Sequence, residues 1–195
     1  MEHGAAAQKI VEASWRAIAR AGVRKFRVSD VASDAGVSVG LVYYHFTDRN
    51  GLLRATMEYA NRMAFVAEST SEGEPPAVSG FEQLSALLFT DMAGTDTSRD
   101  NAVVWYEIVG EALFEDEIRG QVAATIQDWQ QHVFGAIRQG QGDGSVRADA
   151  DAVVTAQILT ALVDGLLSRL AIDSLTWDAA RASLRVAMER LLLPV

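Results

Sequence analysis

The residues best suited to do chemistry lie between Val28 and Thr47, in the run VSDVASDAGVSVGLVYYHFT. Ala32 is followed four residues later by Gly36 and six after that by Val42. Two short helices that cross closely need a small residue at their contact. They also need a residue tolerant of positive φ in the turn and an apolar residue returning onto the first helix. Ala32, Gly36 and Val42 meet those needs, helped by Val31, Ala35 and Val37. The pattern is that of a helix-turn-helix, whose second helix can present its N-terminal residues to a DNA major groove. It also fits an ordinary helical corner, and spacing alone does not choose between the two. Ser38 is placed to cap the second helix, and Tyr43, Tyr44, His45 and Phe46 close it. Phenols and imidazoles donate hydrogen bonds to phosphate oxygens; Phe46, and Tyr44 with it, suit core packing as well.

Other chemistries find less support. With no cysteine, the chain has no disulfide framework, iron–sulfur cluster, thiol nucleophile or zinc-finger site. His3, His45 and His132 do not pair at metal-ligand spacing, and no Ser–His–Asp pattern occurs. The glycines from Gly140 to Gly144 follow a helical stretch instead of a strand, so a nucleotide-binding loop is weakly supported. The expectation is a non-enzyme without metal or cofactor. Glu107 and Glu111 stand one helical turn apart near Trp105, as a solvated face or a site that welcomes a cation.

Charge separates the chain into a head and a body. Residues 1–60 hold 8 Lys/Arg and 6 Asp/Glu, while the whole chain of 195 residues carries −9. Arg16, Arg20, Arg24, Lys25 and Arg27 fall in a stretch from Ala13 to Ser29 that has no acidic residue. A mildly basic head on an acidic body suggests that the head alone meets a polyanion. An apolar share of 49% is that of a globular protein. There is no basic start leading into an apolar core, and Gln157, Asp164 and Arg169 interrupt the most apolar window. A soluble, cytoplasmic protein without a membrane span is expected.

The elements that must position these residues are all helical. Apolar residues recur at three and four, and no alternating strand stands between turn signals. Helices are expected at 5–21 (stopped by a left-handed Gly22), 28–35, 39–46, 49–68, 81–92 and 102–114. Further ones are expected from about 116 to 140, at 152–172 (capped by Asp149), and after a Ser174 or Thr176 cap. Loops are expected at 69–79, 94–100 and 140–144. The domain division is 1–48 for the helix-turn-helix head and 49–195 for the body.

Within 152–172, 14 of 21 residues are Ala, Val, Ile or Leu, distributed around the axis. A helix apolar on all sides is either fully central or shared with a second subunit. With the apolar helix that follows, a two-fold axis would make a four-helix bundle. A homodimer is therefore expected, with Leu159, Leu162, Leu166, Leu184 and Leu191 at its interface.

On these residues the region from Ile10 to Leu53 resembles the N-terminal domain of the TetR family of bacterial repressors. The stretch from Val31 to Phe46 follows that family's Ile-Ala-x-x-Ala-Gly-Val-Ser-x-Gly-x-x-Tyr-x-His-Phe. The resemblance implies an all-α fold of nine helices, with a three-helix head and a larger helical ligand-binding and dimerisation domain. It implies a homodimer that binds double-stranded, palindromic operator DNA and is released by a small-molecule effector. Ser38, Val39, Gly40 and Leu41 would lie at the groove. Tyr43, Tyr44, His45, Arg27 and Arg49 would meet phosphates or the neighbouring backbone. Arg27, Val39 and Leu41 depart from the family's usual Thr, Lys and Thr, which leaves the groove-facing turn apolar and able to touch thymine methyls. Family members hold ligands among helices four to eight, where this chain offers Met63, Phe65, Phe89, Met92, Trp105, Tyr106, Phe114, Trp129 and Phe134. Aromatic residues with Met suit a large, apolar or flat ligand, though each also suits a core. The C-terminal part loosely resembles the choline-responsive, BetI-like subgroup through Trp129, the Gly140–Gly144 segment and Asp164-Gly165-Leu166. A helical protein-interaction module is the competing class; it would explain the acidic body but not the helix-turn-helix.

Overall fold

The computed structural model describes residues 2–66 and 78–193; the side chains of residues 2, 3, 63–66 and 91 are outside that description. The loop expected at 69–79 therefore falls almost wholly outside the described residues. Among them there are nine α-helices and no strand. These are α1 (Glu2–Ala21), α2 (Val28–Asp34), α3 (Val39–Phe46), α4 (Arg49–Val66), α5 (Gly80–Phe89), α6 (Asp96–Ala112), α7 (Asp116–Asp143), α8 (Ala152–Ala171) and α9 (Trp177–Leu192). Short 3-10 turns occupy Val23–Lys25 and Thr90–Met92.

Packing groups the described residues up to Val66 with Arg99–Ala123 in one compact unit, and those of Ala67–Ser98 with Ala124–Val195 in another. This division differs from the expected one at residue 48. The reason is that α4 and most of α6 bury side chains together with the head. In the first unit α1 lies along α4, burying Ile10, Ala13 and Ile18 on one side and Leu52, Leu53, Met57 and Ala60 on the other. Each such leucine or isoleucine stabilises the fold by roughly 1.5–3 kcal/mol. Between the helices a buried Ser14 hydroxyl and the Thr56 hydroxyl hydrogen-bond at 2.6 Å, so neither polar group is stranded.

In the second unit α8 packs on α9 and α5, and α9 also meets the 3-10 turn Thr90–Met92. Leu84, Leu88, Val133, Ile137, Leu159, Leu170, Leu184 and Met188 form its core. Ser79 and Glu82 make a reciprocal capping box at the start of α5.

Three expectations about boundaries are corrected. Residues 96–100 begin α6 instead of extending a loop, because the Thr95 hydroxyl accepts the Ser98 N–H at 3.1 Å and caps it. α7 continues through Gly140 and Gly142 to Asp143. Gly140 is a packing residue within the helix, not part of a loop: a Cβ there would lie 2.5 Å from Val146, and one on Gly80 would lie 2.0 Å from the Gly140 nitrogen. Asp151, not Asp149, caps α8, accepting from Val153 and Val154, while Asp149 pairs with Arg147. Thr176 caps α9.

Candidate nucleic-acid interface

α2 and α3 form the corner that the spacing of Ala32, Gly36 and Val42 predicts. α2 ends in a Schellman motif: the Val37 N–H reaches the Ala32 carbonyl at 2.9 Å and the Gly36 N–H reaches Ser33 at 3.2 Å. Gly36 has φ 68°, which the motif requires. Val31, Ala32 and Val42 are fully buried at the crossing. Ser38 caps α3, its hydroxyl accepting the Leu41 N–H at 3.1 Å. Arg27 precedes α2 and makes no side-chain cap.

This packing turns one face of α3 outward. Ser38, Val39, Gly40, Tyr43 and Tyr44 are exposed, Leu41 and His45 are half-buried, and Val42 is the anchor. Tyr44 is 70% exposed, so it is not a core residue. Its ring meets His45 edge-on at 5.3 Å, and Phe46 is half-buried. Arg20, Arg24, Lys25 and Arg27 are exposed on the same compact unit; Arg16 is not available in the same way, being paired with Asp34 at 3.2 Å.

Arg49 is the site residue whose surroundings differ most from expectation. Its guanidinium donates to the Val23 carbonyl at 3.2 Å, lies 3.5 Å from the Glu111 carboxylate and sits 5.7 Å from the centre of the Phe26 ring. It is a structural clamp before it is a phosphate ligand. Glu111 and Glu107 are accordingly neither a solvated face nor a cation site. Glu107 Oε2 accepts the Val23 N–H at 2.7 Å. A Cβ on Gly22 would lie 2.8 Å from that oxygen, and Gly22 has φ 75° and ψ 165°, an extended mirror conformation open essentially to glycine alone. Further contacts extend the clamp: Trp15 Nε1 donates to Asn101 Oδ1 at 2.8 Å, and Arg54 pairs with Glu117. Sequence periodicity carries no signal for the pairings of Trp15, Val23, Arg49 and Arg54 with Asn101, Glu107, Glu111 and Glu117, whose partners are about 60 to 90 residues apart.

The junction between α3 and α4 was also not foreseen. Thr47 has φ 66° and ψ −55°, and the Asp48 N–H closes a γ-turn onto the Phe46 carbonyl at 2.7 Å. Asp48 Oδ1 then accepts the Gly51 N–H at 2.7 Å. A Cβ on Gly51 would lie 2.0 Å from the Phe46 oxygen. An acidic residue just before a helical stretch was the available signal here.

The residues expected around an effector are divided. Met63, Trp105 and Tyr106 belong to the first unit, and Phe89, Met92 and Trp129 to the second. Trp105, Tyr106, Phe89 and Trp129 are half-buried and Met92 is buried; the side chains of Met63 and Phe65 are outside the described residues. Phe114 is 85% exposed in the turn after α6, which removes it from any pocket of this chain.

The expected dimer residues are corrected in part. Leu159, Leu166 and Leu184 are buried within the protomer, on the inner rows of α8 and α9, and Leu162 and Leu191 are half-buried. The exposed apolar row is another one: Val153, Val154, Ile158 and Ala161 on α8 and Val186 on α9. α8 is also the one described helix long and apolar enough to cross a membrane, but its inner row is occupied by protein core.

Comparison with known proteins agrees with this geometry. Residues 10–56 match the bacterial regulatory proteins of the tetR family, and residues 81–193 match the C-terminal domain of BetI-type transcriptional repressors. The HTH-type transcriptional regulator TtgR of Pseudomonas putida is 28% identical over 83% of this chain and 78% of its own length. A TetR-family regulator from Rhodococcus sp. superposes with a TM-score of 0.85 at 36% identity, over 95% of this chain and 98% of that one. A transcriptional regulator from Saccharomonospora viridis, solved in complex with choline, superposes with a TM-score of 0.83 at 28% identity, over 98% of this chain and 100% of that one.

Proposed function

The chain belongs to the TetR family of bacterial transcriptional regulators, and from that premise we propose that it is a dimeric repressor released from a palindromic operator by a small molecule. The observation that carries this is the outward face of α3, held by the buried Val42 anchor and the Ser38 cap. Ser38, Val39, Gly40 and Leu41 read the groove. Tyr43, Tyr44, His45 and Arg27 meet the phosphates, with Arg49 fixing the entry to α4. Residues 1–48 are the DNA-reading part and 49–195 the ligand-binding and dimerisation part. Two copies join through the exposed apolar row of α8 and α9, so the half-sites lie about 34 Å apart or a multiple of it.

α6 provides the coupling. It bears Trp105 and Tyr106 immediately before Glu107, and Glu107 and Glu111 hold Val23 and Arg49. A ligand contacting Trp105 or Tyr106 that shifts α6 would pull on the head through these two carboxylates. A 100-fold loss of operator affinity requires about 2.7 kcal/mol of such coupling, and operator must weaken the ligand by the same factor. The residue types favour a large, apolar or flat effector. The choline bound by the Saccharomonospora viridis regulator favours a quaternary ammonium as the second candidate.

The test is fluorescence anisotropy with DNA from upstream of the chain's own gene. Binding should fall on the order of 10³-fold between roughly 50 and 200 mM salt. Tyr43→Ala should weaken all sequences alike. Affinity that is flat across this salt range would overturn operator binding and leave the helical interaction module.

A further inference from the structure

The recognition helix lacks the side chains that usually read bases. α3 is VGLVYYHF, with no Arg, Lys, Asn, Gln, Asp or Glu. Reading a guanine edge with two hydrogen bonds takes Arg or Lys, and reading an adenine edge takes Asn or Gln. The chain has none of these on the helix that enters the groove. Ser38 can still donate its hydroxyl proton, but its oxygen is engaged by the Leu41 N–H, and a single hydroxyl distinguishes bases poorly.

What this face does present is apolar. Val39 is 39% exposed in the first turn of α3, with its neighbour Val42 turned fully inward. Gly40 stands beside it in open space. The nearest atom to a Cβ at that position would be the Ser38 oxygen at 3.8 Å, and φ is not positive there. Neither packing nor backbone conformation demands the glycine, so its effect is on what approaches from outside. The bare backbone lets a base edge come close to α3 and brings the Val39 methyls down to the groove floor. One apolar group on the major-groove edge distinguishes the base pairs, the C5-methyl of thymine.

We propose that Val39 reads the C5-methyl of one pyrimidine in each half-site, so that operator specificity is for a 5-methylpyrimidine, with 5-methylcytosine accepted in place of thymine. This rests on the operator-binding function proposed above, and the experiment separates the two.

Operator duplexes are selected from a random library with the full chain, and each thymine of a half-site is replaced symmetrically by deoxyuridine, which lacks only the methyl. At one position the replacement should weaken binding about fourfold per methyl, or about 16-fold for the pair. A 5-methylcytosine·guanine pair at that position should bind better than cytosine·guanine by the same factor. In the exposed variant Val39→Ala the deoxyuridine penalty, taken as the ratio of the two affinities of that same variant, should shrink to less than about twofold. If every deoxyuridine duplex binds like its thymine parent, methyl reading is wrong while operator binding stands. If a penalty appears but survives Val39→Ala, the assignment to Val39 is wrong. If the library yields no bound duplex, operator binding itself fails.

Discussion

Removing the Glu107 carboxylate tests whether α6 is fastened to the DNA-binding head. In the native chain Glu107 Oε2 lies 2.7 Å from the Val23 nitrogen, and Val23 is 1% exposed. No other acceptor for that N–H stands among the described hydrogen bonds. A hydrogen bond to a charged acceptor contributes about 1.5–3 kcal/mol, and an abandoned buried donor costs a similar amount. Glu107→Ala should therefore destabilise the protein by about 2 kcal/mol. For a chain of this length that lowers the melting temperature by roughly 4–8 °C. Glu107→Gln keeps an oxygen in place without the charge and should fall between the two. Hydrogen exchange gives the local readout: the Val23 amide should exchange at least about tenfold faster in Glu107→Ala. The Gly22 amide, bonded to the Ile18 carbonyl at 2.8 Å, should change less. If α6 carries the proposed coupling, operator affinity of the alanine variant should also become less responsive to an effector, since one of its two carboxylate contacts with the head is gone. A Glu107→Ala protein that melts within about 1 °C of the parent and exchanges Val23 no faster would show that the contact does not hold the head.

Gly51→Ala should destabilise the protein by about 1–3 kcal/mol and lose operator binding, because its Cβ would lie 2.0 Å from the Phe46 carbonyl oxygen and force α3 away from α4; circular dichroism melting with anisotropy checks both. Ile158→Asp, on the exposed row of α8, should yield a folded monomer by light scattering, whereas Leu159→Asp, one residue on and buried, should melt below the parent instead. Acid sensitivity of the second unit should come in part from Asp143, whose carboxyl is held below its ordinary 3.8 by the Ser145 hydroxyl and by the Gly80 and Ser145 backbone N–H groups. Because the folded value is the depressed one, this contribution is present above 3.8 and is lost as pH falls through the lower folded value; Asp143→Asn should flatten that part of a stability-versus-pH curve measured by denaturant titration.

The sequence by itself determined the features that rest on near neighbours. The α2–α3 corner follows from Ala32, Gly36 and Val42, because its sterics are settled within a dozen residues and leave few residue types acceptable at each point. The helical class followed from periodicity, and the Ser38 cap from a single hydroxyl at a helix start; for α9 the sequence offered Ser174 or Thr176, and the structure chose Thr176. The apolar character of α3 was equally legible, since it is composition at fixed positions. Tertiary structure decided what depends on which element lies opposite. Glu107 and Glu111 read as a solvated face or a cation site, whereas the fold sets Val23 beside Glu107 and Arg49 beside Glu111; the contacts of Arg49 with Glu111 and the Phe26 ring were invisible in its position at a helix start. Gly140 read as the start of a loop, yet the approach of Gly80 makes it a contact within a continuous α7. α8 is apolar nearly all round, so its pattern could not separate the row that faces the core, with Leu159 and Leu166, from the row with Val154 and Ile158 that stays exposed. A local pattern fixes the conformation of a segment because its interactions span one or two helical turns; which face is buried, and which charge is paired, is set by groups up to 90 residues away that only folding brings within hydrogen-bonding distance.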